Sequence, residues 1–198
     1  MARPRTFDED RALDAAMRAF WANGYEATST QDLCEATGLG RSSIYNTFSS
    51  KRDLFRRSLD RYNELMTVPQ VALLEDAQLP PLERVRLLLA RVVDAEFEDR
   101  PQGRSIGCLT VNTVVELAGR DAEAAAVLER DQAVRIAALG AAIGAGQRAG
   151  EISGRREAGE LARFVNAVIA GMRVAAMGGA DRAAVEAVAA TAMDALTP

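Results

Sequence analysis

With 198 residues, 48% of them apolar and only 5% aromatic, the chain can form one large domain or two small ones packed through small side chains. It has no histidine, so the commonest general base and the commonest metal ligand are both missing, which argues against an enzyme and against a metal site. The net charge of −4 argues against a protein that coats nucleic acid, but residues 39–61 run the other way, with Arg41, Lys51, Arg52, Arg56, Arg57 and Arg61 against Asp53 and Asp60.

The first residues, in which Arg3 and Arg5 lead into the acidic stretch DEDR, do not read as a signal peptide. No apolar run reaches the ~18 residues of a membrane span. A cytoplasmic protein without membrane contact is expected, and its two cysteines, Cys34 and Cys108, are not expected to form a disulfide. Thr6 and Glu9 fit a capping box. From there a first helix carries Leu13, Ala16, Met17, Phe20 and Trp21 on one face and stops at Asn23-Gly24. Trp21 is expected in the core.

Thr28 with Gln31 fits a second capping box, opening a short helix whose inner face is Leu33 and Ala36. Cys34 reads as packing. Gly38-Leu39-Gly40 is a turn, with Leu39 plugging the core, and residues 41–48 form the next helix around Ile44 and Phe48. Ser50 caps a fourth helix with the stripe Leu54, Phe55, Ser58, Leu59, Tyr62, Leu65 and Met66. Val68-Pro69 is expected to end it, and Leu79-Pro80-Pro81 to separate it from the fifth helix.

That long fifth helix turns Leu82, Val85, Leu88, Leu89, Val92, Val93 and Phe97 inward, and a loop spans Pro101–Gly107. A short helix covers 108–118. Asp121 caps a long one that Gly150 ends, in which Gly140 and Gly144 permit one close helix crossing. A helix over 156–177 stops at Gly178-Gly179, and Asp181 caps the last, to about Leu196. The result is an all-α fold of about nine helices, with no strand and no internal repeat.

Residues 25–54 have the build of a helix-turn-helix. A helix lying in the major groove must offer short polar side chains and a basic fork to the base edges. Arg41 can bond a guanine edge bidentately, Asn46 an adenine, and Ser43 either. Ser42, Tyr45 and Thr47 suit phosphate or sugar contacts, which fix register. Thr28, Ser29, Thr30 and Lys51 stand at helix N-termini, where backbone N–H groups also attract phosphate. Arg3 and Arg5 form a short basic arm able to reach a minor groove. Taken singly, each of these is also what an ordinary surface helix carries. Turn, caps, core positions and polar face agree only when taken together.

The stretch Thr37-Gly38-Leu39-Gly40-Arg41-Ser42-Ser43-Ile44-Tyr45-Asn46-Thr47-Phe48-Ser49-Ser50-Lys51-Arg52-Asp53-Leu54 resembles the N-terminal pattern of the TetR family of one-component bacterial transcriptional regulators, A-G-V-S-x-G-x-L/I-Y-x-x-F-x-x-K-x-x-L. Phe20, Asn23-Gly24-Tyr25 and Thr28 fit upstream. The likeness covers about 50 residues; beyond them, only length and helix order agree. Gly40 stands where Ser is usual, Ser42 where Gly is common and Asn46 where an aromatic residue or His is frequent, and these departures bear on which operator is read.

The resemblance implies an N-terminal DNA-binding domain, a three-helix bundle over 1–50, and a helical effector-binding and dimerisation domain over 51–198, connected by the helix at 51–66. It implies a homodimer through the last two helices. There Leu161, Phe164, Val165, Val168 and Met172 make one apolar face and Val185, Val188 and Ala192 another; the same residues also read as core within one chain. It implies an effector pocket among the middle helices, with Val93, Phe97, Ile106, Cys108, Leu109, Asn112, Thr113 and Met172 as candidates. That lining is mostly apolar with a few polar handles, which suits a small organic ligand. The expected function is a repressor released from a palindromic double-stranded operator by such an effector, with no cofactor and no enzymatic activity.

Two readings of Cys108 stand beside each other. A helix N-terminus and the nearby Arg104 both favour a thiolate, and Gly107-Cys108-Leu109 with Val111-Asn112 is similar to TetR-family repressors that respond to electrophiles or hypochlorite through a cysteine. That makes a redox-sensing repressor the alternative. A buried cysteine is also an ordinary small core residue. Lys51 is the only lysine, so none near the pocket can form a partner bond. A thiol-dependent enzyme is the remote alternative, and it lacks a histidine base.

Overall fold

Side-chain caps set where several helices begin. In the computed structural model, which describes residues 8–98 and 105–198, α1 (Glu9–Asn23) starts at Asp8, whose carboxylate accepts from the N–H groups of Asp10 and Arg11 at 3.1 and 3.2 Å. Thr6, expected as this cap, lies outside the described residues. Gly24, at φ +81°, ends α1 and returns its N–H to the Phe20 carbonyl. α2 (Thr30–Thr37) is capped by Ser29 rather than Thr28: Ser29 and Asp32 form the reciprocal box. The box moves one residue because Thr28 is turned inward, fully buried, and donates its hydroxyl to the Gly24 carbonyl at 2.6 Å.

The remaining helices are α3 (Arg41–Phe48), α4 (Lys51–Glu75), α5 (Pro81–Phe97), α6 (Leu109–Leu117), α7 (Ala122–Arg148), α8 (Ala158–Met177) and α9 (Arg182–Asp194). Among the described residues there are nine helices and no strand. α4 overturns the expected break: it runs through Pro69 to Glu75. A proline inside a helix removes one backbone donor and crowds the preceding turn. Burial of Leu73 and Leu74 beyond it outweighs that loss.

The chain divides into two compact units. The first comprises the described part of Met1–Leu65 with Cys108–Leu128; the second is Met66–Gly107 with Glu129–Pro198. α4 and α7 supply residues to both. The first unit buries Met17, Phe20, Leu33, Ile44, Phe48, Leu54, Phe55 and Leu59, and Phe20 meets Phe55 edge-on at 5.0 Å between centroids. Trp21 is only half-buried, set edge-on against Tyr62 at 5.0 Å, because it stands at the margin of the α1 stripe. Ala36 is exposed and Leu39 half-buried, so Leu33 alone anchors the inner face of α2.

The second unit packs α5, α8 and α9 against one another, with the ends of α4 and α7, around Val85, Leu88, Leu89, Val92, Leu139, Ile143, Leu161, Val165, Met172 and Val185. A Cβ placed at Gly144 would lie 3.6 Å from Ala158, and one at Gly140 3.9 Å from Ala162. This is the close crossing expected from the small residues of α7. A buried ion pair joins α5 to α8, Arg173 donating to Glu96 at 3.0 Å, and the Ser105 hydroxyl also donates to Glu96. The Ser153 N–H donates to the Leu196 carbonyl at 2.8 Å, tying the chain after α9 to the α7–α8 loop.

Candidate nucleic-acid interface

α3 presents two faces. Ile44 and Phe48, four residues apart, are buried. Arg41, Ser42 and Asn46 are exposed, and Ser43, Tyr45 and Thr47 are half-buried between the two. Gly40 gives the helix no side-chain cap, and the first turn carries no acid, so its N-terminal N–H groups favour an anion. Arg41 stands 5.7 Å from the Tyr45 ring centroid, and the Tyr45 and Thr30 hydroxyls share a hydrogen bond of 2.9 Å across the α2–α3 junction. Ser29 is exposed and Thr30 half-buried at the start of α2. Lys51, the first residue of α4, holds its ammonium 4.4 Å from the Tyr25 ring, which packs on Phe55 at 4.9 Å. Burial, and secondarily the Glu26 carboxylate, raise the Tyr25 phenol above its usual range. Thr28 departs from the expectation: its buried hydroxyl is engaged with Gly24 and is not presented at the surface. Arg3 and Arg5 lie outside the described residues.

The run of cations seen in the sequence is largely paired within the first unit. Arg52 bonds Asp121 at 2.8 Å, Arg56 bonds Asp53 at 2.9 Å, Arg57 bonds Glu9 at 2.6 Å and Arg61 bonds Asp14 at 3.0 Å. The pairs of Arg52, Arg57 and Arg61 brace α4 against its neighbours, whereas Arg56–Asp53 lies within α4 itself. Arg41 and Lys51 are held over rings instead, which leaves them the cations of this segment best placed for phosphate or base edges.

Acceptors outside the expected set also organise this unit. Glu116, on α6, accepts from the backbone N–H groups of Tyr25 at 3.0 Å and Glu26 at 2.7 Å. Asp121 caps α7 by accepting from Glu123 and Ala124 while binding Arg52. The Ala124 N–H, and then Arg52, hold the Asp121 carboxyl below the usual aspartate range. Nothing local marks Glu116 except that an acid in the last turn of a helix opposes the helix dipole.

Two family models match. One, for bacterial regulatory proteins of the tetR family, covers residues 12–57; the other, a tetracyclin repressor-like C-terminal domain, covers 81–192. The HTH-type transcriptional repressor ComR of Escherichia coli is 36% identical over 185 residues, 90% of this chain and 84% of ComR. The chain belongs to the TetR family of bacterial regulatory proteins. An HTH-type regulator of Bacillus subtilis, YezE, is 31% identical over 84% of each chain. Among solved structures, a cysteine mutant of the TetR-family regulator CifR, in complex with 26-bp double-strand operator DNA, superposes with a TM-score of 0.81 at 31% identity, over 98% of this chain and 100% of CifR. The reduced form of E. coli NemR reaches 0.85 at 18% identity, over 96% and 97%, which speaks to the fold alone.

The TetR-family effector candidates fall into both units. Val93 and Met172 are buried in the second, where Phe97 and Ile106 are half-buried. Cys108, Leu109 and Thr113 are buried in the first, with Asn112 half-buried. The Thr113 hydroxyl donates to the Leu109 carbonyl at 2.7 Å, so one expected polar handle serves its own helix. Cys108 is 6% exposed at the N-cap of α6, an enclosed setting that does not favour attack by an oxidant in solution; Arg104 lies outside the described residues. A cleft of about 460 Å³ between α5 and α9 has Leu89, Val93, Ala189 and Met193 in its lining and Arg86 and Arg182 beside them; of the candidates it includes Val93 only.

The expected dimer residues divide by exposure. Leu161, Val165, Val185 and Ala192 belong to the core of a single protomer, a correction to their reading as interface. A helical stripe shows that a face is apolar, not whether its partner is the same chain. Phe164 and Val188 are each 42% exposed, and Val168 is half-buried between the two sets. No described helix is long and apolar enough to cross a membrane.

Proposed function

We propose that the protein is a homodimeric transcriptional repressor that reads a palindromic operator in double-stranded DNA with α3 and leaves it when a small organic effector binds. The observation that carries this reading is the exposed Arg41–Ser42–Asn46 face of α3, set over buried Ile44 and Phe48, in a chain 31% identical to a regulator solved on operator DNA. Arg41, Ser43 and Asn46 read base edges. Ser29, Thr30, Ser42, Tyr45, Thr47 and Lys51 contact the backbone, and Arg3 and Arg5 reach the minor groove. The matches at 12–57 and 81–192 support a functional division into a DNA-binding segment, 1–50, and an effector-binding and dimerisation segment, 51–198, with α4 leading from one to the other.

Two reading heads about 34–36 Å apart meet successive turns of the major groove, which makes the site palindromic. Phe164, Val168 and Val188 pair the protomers. The effector, held among residues of the second unit such as Val93, Phe97, Ile106 and Met172, binds better to a conformation that DNA does not accept and so shifts the population off the operator. The protein acts in the cytoplasm by binding rather than catalysis.

The test is footprinting on the DNA upstream of the protein's own gene, with random DNA in excess. Protection of a palindrome is expected. Binding that random DNA removes in proportion to its mass would overturn sequence-specific repression.

A further inference from the structure

Glu116 stands in the last turn of α6, where its charge opposes the partial negative charge of the helix C-terminus. Helix stability does not account for an acid there. Its carboxylate points to another element: Oε2 accepts from the Tyr25 N–H and Oε1 from the Glu26 N–H. Both donors lie just after Gly24, in the turn that joins α1 to α2. Gly24 allows this approach, because a Cβ at that position would lie 3.0 Å from Oε2. Two neighbouring N–H groups need two acceptors, and one carboxylate supplies both.

The turn so held feeds the reading face. The Gly24 carbonyl receives the Thr28 hydroxyl, Ser29 caps α2, Thr30 bonds Tyr45 of α3, and the Tyr25 ring carries Lys51. Just beyond α6, Asp121 grips Arg52 at the start of α4. The corner between α6 and α7 thus holds the helix-turn-helix at two points.

We propose that Glu116 is a positioning residue for DNA binding: its carboxylate clamps the α1–α2 turn to α6, so that α6 and the reading helices move as one body. The inference rests on the repressor reading above. A palindrome is bound by two heads at one separation, an isolated half-site by one. Loosening the clamp therefore weakens the palindrome while sparing the half-site.

The experiment uses Glu116→Gln in the full-length protein. Gln keeps the shape but turns one acceptor into a donor that faces an N–H. Hydrogen exchange at the Tyr25 and Glu26 amides of the DNA-free protein is expected to quicken about tenfold, and affinity for the footprinted palindrome to fall by a similar factor, with half-site affinity held within about twofold. Glu116→Asp, which keeps the charge and withdraws it by one methylene, is measured in the same way if the Gln variant folds poorly. Unchanged exchange at both amides would mean the clamp does not form. Equal losses on palindrome and half-site would reduce Glu116 to a general support of the fold, and an unchanged palindrome affinity would remove its role; each overturns the proposal. A wild type that protects no palindrome overturns the repressor reading, and this role with it.

Discussion

Arg41 occupies the first position of α3, exposed and oriented by the Tyr45 ring. Arg41→Ala is expected to weaken operator binding by about 1–3 kcal/mol and to relax specificity at one base pair. Titration of operator variants against random DNA measures this, and equal losses on both would remove the base-reading role. Lys51→Ala should instead weaken all sequences alike and lower the salt slope by about one. The exposed polar face of α3 was legible because everything that defines it is local: a turn, a cap and a 3.6-residue period within 24 positions, 28–51. Glu96 was not legible, because Arg173 lies 77 residues away in the chain. With side-chain exposures of 3% and 8%, that pair sits where an uncompensated charge is costly. Glu96→Ala is expected to destabilise the protein by about 3–5 kcal/mol in urea denaturation, and replacing both partners by apolar residues to recover much of the loss. A double variant as unstable as the single one would point to packing rather than charge.

Helix ends were read well where a short polar side chain or a glycine acts on its own neighbours. Asp121, Asp181 and Gly150 stand where the sequence places them. The break at Pro69 was misread because its outcome depends on Leu73 and Leu74, whose burial no local signal shows. The caps also carry a pH signature. Asp121 and Asp32 titrate below the usual aspartate range, Asp121 through the Ala124 N–H first and Asp32 through the Ser29 N–H. A lowered folded-state value means that their contribution is complete above about pH 4 and is lost as pH falls through the folded value. Asp121→Asn keeps a capping oxygen without a titrating group, so its stability in urea should vary less between about pH 5 and 2.5 than that of the wild type; identical profiles would exclude Asp121 as a source of the acid sensitivity. At the end of α7, the Gly146 carbonyl accepts from Glu151 and Ile152, and a Cβ there would lie 2.6 Å from Ile152 Cδ1 and 2.7 Å from Cγ1. Gly146→Ala is expected to cost about 1–3 kcal/mol despite alanine's higher helix propensity. A gain in stability would show that Ile152 moves aside freely.

At the scale of the molecule, the all-α architecture and the order of its helices were legible in the sequence, whereas the division of apolar faces between core and partner was not. Leu161 and Phe164 share one helix three residues apart, yet the first is buried within the protomer and the second is exposed. The packing of neighbouring helices on α8, α5 and α9 among them, separates them. Phe164→Glu places a charge on the proposed seam while leaving the protomer core untouched. It is expected to yield a folded monomer in sedimentation experiments that no longer protects a palindrome; a dimer that survives would locate the seam elsewhere. The placement of Lys51 has a practical corollary of a different kind. It is the chain's one lysine, and it stands at the proposed reading face with its amine over Tyr25. Apart from the α-amino group, amine coupling to a sensor chip would tether every copy by the head that must meet DNA, and such a surface would look inactive. Immobilising the duplex and flowing the protein avoids this, while the same chemistry, run gently with a small dye, offers a single-site fluorescent reporter of head occupancy.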